Sequence, residues 1–482
     1  MPNVQGFCSL LSAVDIARID RTGRRVLERV GLRVCDPTCL RILHEAGARV
    51  DHEAQRVRFE DGWLQEMVGK APSRVTLHAR DGRRDLALGE RRTHFANGGR
   101  VFRILDPANG TRRPSVLGDV ARTAALVDKC EHIEAYIIAC QAHDVPPGNY
   151  HLNDFYQALK HTTKHVMGGC DDVEGARQVW DLASLVAGGA EKLAERPFVS
   201  IITNPISPLT IDAKALGILR FCCERGIPVT CAPAPISGAT SPVSLAGTLA
   251  QMHAEALAGV ALTQVFTPGA KVLYGAVPSA MDLRKMDYTM GSVEMGMMNA
   301  AAVQLAHLYG LPIYGSAGVT EAKAPDLQAG MEKSLSLLLV AGSGADFVHL
   351  AAGMLDSGNS IAYEQYIIDD EMIGLVRRIL AGIRVDEEAL ALEVINDVGP
   401  GGHYVLENHT VEHMVHEYYY PELSIRSQYD TWERQGRRTM VTRARERAEQ
   451  ILARAGDGVL DPGLARAIER SFEGIVKDPA DR

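Results

Sequence analysis

The chain has 482 residues, 46% of them apolar and 23% charged, a balance that fits a globular protein with a large core and excludes disorder as its main state. Its 51 Lys and Arg stand against 60 Asp and Glu, a net charge of −9, which argues against a nucleic-acid or anionic-membrane protein. Nine Cys, an odd number with no CxxC pair, fit reduced thiols rather than a secreted disulfide framework.

Met1 to Ser12 has no positive start and only a short mixed apolar run, so no signal peptide is expected. The longest apolar stretch, Ala246 to Phe266, is broken by His253, Glu255 and Gln264. No membrane span is therefore expected, and the protein reads as soluble and cytoplasmic.

Residues 1–92 read as an appended α+β extension. Asp15 to Val34 has the charged, amphipathic pattern of a helix, and Thr38 to Ala46 that of a shorter one. Val50-Asp51-His52, Val57-Arg58-Phe59 and Thr76 to Arg80 alternate as strands do, and Asp81-Gly82 is a hairpin signal.

From residue 93 to 382 short apolar runs alternate with helical stretches, the pattern of parallel βα units. Eight strands are predicted: Thr93–Asn97, Ile133–Gln141, His165–Gly169, Phe198–Asn204, Pro228–Ala232, Lys271–Gly275, Pro312–Gly315 and Phe347–Ala351. The clearest helices are Val116–Cys130, Val173–Val186, Ile211–Arg225, Val243–Thr267, Val293–Tyr309, Leu327–Ala341 and Ile361–Leu380. Eight such units predict an α/β fold, a (β/α)8 TIM barrel. A doubly wound open sheet also alternates, but no GxGxxG follows the first strand to support its dinucleotide-binding form. Residues 383–482 form a helical tail, in which Thr439 to Ala453 has the Arg- and Glu-rich pattern of a solvated helix.

In a barrel, chemistry sits at the C-terminal strand ends and in the loops that follow. That rule selects Gly98 and Gly99, Gln141, Gly169, Asn204, Ser237 and Gly238, Tyr274, Tyr314 and Gly315, Glu321, and His349. The rim holds many Gly, Tyr, Asn and His and few cations, so it lacks the look of a phosphate site. Lys271 begins its strand and Lys323 lies in a loop, which disfavours Schiff-base chemistry. Glycines let a planar ligand approach the backbone, and tyrosine faces can hold a cation.

Each choice has a plainer reading. His349 also fits a hydrogen-bonded core histidine, and Tyr274 and Tyr314 fit ordinary core aromatics. Glu321 and Asp326 fit helix caps, and Cys170 a small buried apolar residue. In the tail, His409, His413 and His416-Glu417 share a helical spacing that can hold zinc, but the HExxH order is absent, and no metal site is predicted.

The segment Pro235-Ile-Ser-Gly-Ala-Thr-Ser-Pro-Val-Ser-Leu-Ala-Gly-Thr-Leu resembles the trimethylamine methyltransferase family. The likeness continues through Pro268-Gly269, Tyr274-Gly275, Asp326 to Glu332, Gly353, Gly399 to His403 and His409 to His413, and so covers most of the chain. The resemblance implies a (β/α)8 barrel that demethylates a methylated amine. It also implies that the acceptor is the Co(I) corrinoid (cobalamin) of a separate small corrinoid protein, with no cofactor bound tightly by this chain. The best-known family members carry pyrrolysine in the barrel, whereas all 482 residues here are standard. This chain therefore resembles the non-pyrrolysine members, some of which act on glycine betaine and others on related quaternary amines.

On that resemblance, Tyr274 and Tyr314 are expected to offer ring faces to the ammonium. His349, Asn204 and Gln141 are expected to orient the polar end, with Glu321 as a further substrate-binding residue and His349 the first choice for a catalytic role. Gly98, Gly99, Gly169, Ser237, Gly238 and Gly315 form the expected corrinoid-facing rim. A barrel with helical extensions is also expected to form homo-oligomers. Two other readings stand beside this one. One is a metal-assisted lyase or hydrolase using His143, Asp144 and His349. The other is a betaine-binding barrel without turnover.

Overall fold

Residues 6–90 and 92–477 are described by a computed structural model, so the part of the expected leader-free start that rests on Met1 to Gln5 lies outside the described residues. Eight parallel strands close into a barrel: β1 (His94–Asn97), β2 (Ala135–Ile137), β3 (His165–Gly169), β4 (Val199–Thr203), β5 (Val229–Cys231), β6 (Val272–Gly275), β7 (Ile313–Ser316) and β8 (Phe347–Ala352). β8 pairs with β1, which closes the ring. Strands buried on both faces carry runs such as Val-Ser-Ile-Ile-Thr and Phe-Val-His-Leu-Ala-Ala, as a covered parallel sheet requires.

All eight predicted strands are present, with ends displaced by a few residues. The seven predicted barrel helices are also present, and an eighth, Tyr150–His161, follows β2. Its pattern is obscured because His151, Asn153, Asp154 and Gln157 are polar yet buried. Helix Leu245–Phe266 is buried nearly all round, and its three polar interruptions have partners. His253 bonds Tyr274 Oη at 2.8 Å and Asp20 at 3.1 Å. Glu255 accepts from Ser207 Oγ and the Leu209 amide, and Gln264 accepts from the Gly269 amide. Among the described residues, no helix is long and apolar enough to cross a membrane.

The first helix covers Ala13–Arg29, capped by the Ser12 hydroxyl at the Asp15 amide. It is shorter than the expected Asp15–Val34. Gly31 takes a left-handed conformation with its Cα against the Val57 carbonyl, where any side chain would collide, and turns the chain into the strand Leu32–Cys35. That strand pairs with Arg56–Arg58 and, in parallel, with Thr210–Asp212 from the loop after β4. The extension thus shares a sheet with the barrel. Val75–Leu77 and Leu86–Leu88 form the hairpin that Asp81-Gly82 signals.

The tail helix Met440–Arg454 buries Ala444 and Ala448 against barrel helices, and Arg445 meets Glu364 at 2.9 Å. Its charges line the remaining faces, as expected of a solvated helix with one docked stripe. The helix Pro462–Ser471 and the residues after it clasp helix Tyr150–His161. Glu469 accepts from Tyr156 Oη at 2.7 Å, Asn153 donates to the Gly474 carbonyl, and Asn153 Oδ1 accepts from the Val476 amide.

Candidate active site at the barrel mouth

A cavity of about 570 Å3 opens at the C-terminal ends of the strands, a size suited to a small organic molecule. Its lining includes Gly99, Gly169, Asn204, Tyr314 and His349, five of the residues selected from the sequence. It also includes Arg100, His151, Asp154 and Asp171, which sequence reasoning passed over.

Parallel pairing explains which strand residues reach the interior. Tyr314 pairs with Gly275 and with Phe347, and Ser316 pairs with His349, so these side chains share one face. Tyr274 pairs with Ile313 and sits one residue out of that phase. It points to helix Leu245–Phe266, where its hydroxyl meets His253. Tyr274 therefore ties β6 through His253 and Asp20 to the first helix, outside the cavity.

The Tyr314 and His349 rings stack at 4.0 Å, and the Tyr314 and Phe347 rings at 5.6 Å. His349 is buried, and burial pushes its pKa down to about 3. It is a neutral imidazole at neutral pH. Nδ1–H donates to the Gly315 carbonyl at 3.0 Å, which leaves Nε2 as an acceptor. Next to it Leu350 takes φ +65°, where the β8–β1 register shifts. A left-handed Leu inside a strand carries backbone strain, and here it re-aims the chain beside His349.

The opposite wall is charged. It begins at Gly98-Gly99, where added Cβ atoms would lie 2.0 Å from Met354 Sδ and from the Ile138 carbonyl. Only glycine permits that close pass, which sets Arg100 over the cavity. Arg100 Nη1 donates to Asp171 at 3.2 Å. His151 Nε2 accepts from the Asp171 amide at 2.9 Å, and burial lowers its pKa. Asp154 is 1% exposed, and burial pushes its pKa up to about 8, although Arg100 opposes the shift. Its carboxyl is mostly protonated at neutral pH.

The remaining selected residues lie around this core. At Gly169 an added Cβ would sit in ordinary contact with Ile202, 3.6 Å from its carbonyl oxygen, so the position does not demand glycine for space. Gly315 faces outward towards Val340, and Gly238 turns the loop after β5 at φ +86°. Ser237 Oγ donates to the Val243 carbonyl. The Gln141 amide donates to the Val101 carbonyl, and its carbonyl accepts from the Ser115 hydroxyl. Glu321 does not line the cavity. It accepts from the Met290 and Gly291 amides at 2.7 and 2.9 Å and from Ser357 Oγ, and so joins the loops after β6, β7 and β8. Asp326, by contrast, caps its helix at the Ala329 amide. Cys170 is a half-buried thiol whose pKa burial pushes up to about 12, the opposite of an activated nucleophile.

His143 and Asp144 are occupied by the first barrel helix: His143 bonds the Ser115 carbonyl and Asp144 accepts from the Leu117 amide. His409 and His413 stack at 4.1 Å in the tail. Among the described residues no group of three or more His, Cys, Asp or Glu is placed to hold a metal ion.

Comparison with known proteins places this barrel. A family model described as trimethylamine methyltransferase (MTTB) matches residues 2–473. The chain is 34% identical over 415 residues to a glycine betaine methyltransferase of Desulfitobacterium hafniense strain Y51, covering 86% of each. It is 33% identical over 418 residues to a trimethylamine methyltransferase, MttB, of Desulfitobacterium hafniense strain DSM 10664 / DCB-2, covering 87% of this chain and 83% of that one. Among solved structures, the hydroxylamine complex of MtmB shares the fold, with a TM-score of 0.50 and 13% identity over 94% of this chain and 96% of that one. A closed eight-stranded barrel, matched almost end to end, makes this chain a methyltransferase of the trimethylamine methyltransferase family.

Proposed function

We propose that this protein moves a methyl group from a quaternary amine, glycine betaine or a related betaine, to the Co(I) corrinoid of a separate small corrinoid protein. The observation that carries the reading is the neutral aromatic wall, Tyr314 stacked on an uncharged His349, at the mouth of a family barrel without pyrrolysine. A quaternary ammonium already has a neutral amine as its leaving group. The C–N bond breaks with its electron pair staying on nitrogen, so no proton donor and no covalent activation by the enzyme are needed. The partner's corrinoid, as co-substrate, supplies the nucleophile that accepts the methyl group.

The chain's own residues bind and orient. Tyr314 and Tyr288 line the cavity and offer ring faces to the cation, an attraction of roughly 0.5–2 kcal/mol each. His349, held in one tautomer by Gly315, orients rather than protonates. The apolar lining from Ile138, Phe155 and Met354 keeps water off the reacting groups. Holding one N-methyl in line is the main contribution to rate. The fold and family relation, and the glycine betaine relative in particular, support this substrate class.

The test mixes the protein with reduced corrinoid, free or on its carrier, and a panel of methylated amines. Absorbance of the methylated corrinoid is expected with a quaternary amine. Signal only with tertiary amines would overturn the reading.

A further inference from the structure

Arg100 has more donors than partners. Nη1 binds Asp171, yet Nε and Nη2 are buried and have no acceptor among the described residues. These two atoms form one edge of the guanidinium, the edge that grips a carboxylate with two parallel hydrogen bonds. Leaving buried donors unmatched is costly, so a cavity built this way is complete only with an acceptor in place. The Arg100 side chain is 24% exposed and Asp171 58% exposed, and both line the cavity, so the ion pair and the unmatched edge belong to the same wall.

We propose that Arg100 is the carboxylate anchor of the site and restricts the substrate to quaternary amines that carry a carboxylate. This deepens the methyl-transfer reading and rests on it for the identity of the ammonium end. Neighbouring chemistry favours a single carboxylate over a phosphate. Asp171 already balances part of the guanidinium charge, and His151 is held towards its neutral form. Asp154 lies close enough to sense Arg100 but makes no hydrogen bond with it, and burial keeps its carboxyl protonated at neutral pH. The open edge is thus left for a ligand. Lys214, the other cation lining the cavity, is exposed and presents a hydrated point charge rather than a fork. A zwitterion then spans the site, with its carboxylate on the Arg100 wall and its ammonium against Tyr314.

Calorimetric titration of the full chain separates this from a general cation site. The ligands are glycine betaine and tetramethylammonium, which lacks the carboxylate, both without corrinoid. Arg100→Gln is expected to weaken glycine betaine by about 100-fold, the order expected for losing a bidentate charged contact, while tetramethylammonium changes by less than about threefold. Arg100→Lys, which keeps the charge without the fork, should fall between. Retained tetramethylammonium binding also reports that the variants are folded. Equal loss of both ligands, or no loss of either, overturns the proposal, as does wild-type protein that binds tetramethylammonium and not glycine betaine. Wild-type protein that binds glycine betaine through Arg100 but never methylates the corrinoid leaves the anchor standing and sinks the methyl-transfer reading alone.

Discussion

The two walls of the cavity are built on opposite principles. On the β7–β8 side, Tyr314 and His349, backed by Phe347, form a stacked, uncharged surface fixed by strand register. On the β1–β3 side, Arg100, His151, Asp154 and Asp171 crowd ionisable groups together on loops and one helix. The first wall suits a cation that must be held weakly enough to react and leave. The second suits an anion that must be held in one orientation. On the proposed function, a site divided in this way suits a zwitterion held by its two ends, with no charge placed at the reacting methyl.

The sharpest way to break the contrast is to remove the charged wall. Arg100→Gln should lower kcat/KM for glycine betaine by about 100-fold, mostly through KM, in the corrinoid methylation assay. Next is His349→Ala, which should cost at least about tenfold in methyl transfer. Near-wild-type rates would remove His349 from the site. Tyr314→Leu should weaken binding of both glycine betaine and tetramethylammonium by about three- to tenfold, whereas Tyr314→Phe keeps the ring face and should stay within about twofold.

The smaller effects are on stability, and they have opposite signs on the two walls. Asp154 has a folded pKa of about 8, above its ordinary value of 3.8. Its folded form holds a proton that the unfolded chain releases, so the fold loses stability as pH rises from about 4 to 8. Asp154→Asn removes that slope and should raise stability relative to wild type at pH 8, with little change at pH 4, in urea unfolding. His349 runs the other way. Its folded pKa of about 3 lies below the ordinary 6.5, so stability is full above pH 6.5 and declines as the medium is acidified towards pH 3. His349→Gln should flatten that acid limb, and an unchanged limb would mean the histidine is not buried neutral.

The uncharged wall was legible in the sequence, and most of the charged one was not. Strand ends find Tyr314 and His349 because a barrel puts its chemistry there. The same rule selects Tyr274, which has the same Tyr-Gly context as Tyr314. Only the β6–β7 register, Gly275 beside Tyr314, shows that the two tyrosines face opposite ways. Arg100 sits directly after Gly98-Gly99 and was within reach of a reading that asked what the glycines position. Asp154 and His151 were hidden on a helix whose buried face is polar. A polar face at helical spacing, opposite a docked tail, was the available signal. Glu321 was placed among the substrate contacts because it follows β7. It instead joins three loops, one of which carries Met290 to the cavity.

The clasp on helix Tyr150–His161 has a consequence for synthesis. Asn153 has its partners 321 and 323 residues later in the chain, at Gly474 and Val476. As the chain leaves the ribosome, the barrel strands are all complete before these partners exist. The helix that carries His151 and Asp154 therefore gains these supports only when Gly474 and Val476 have emerged. The charged cavity wall is thus completed after the scaffold that holds it can already close.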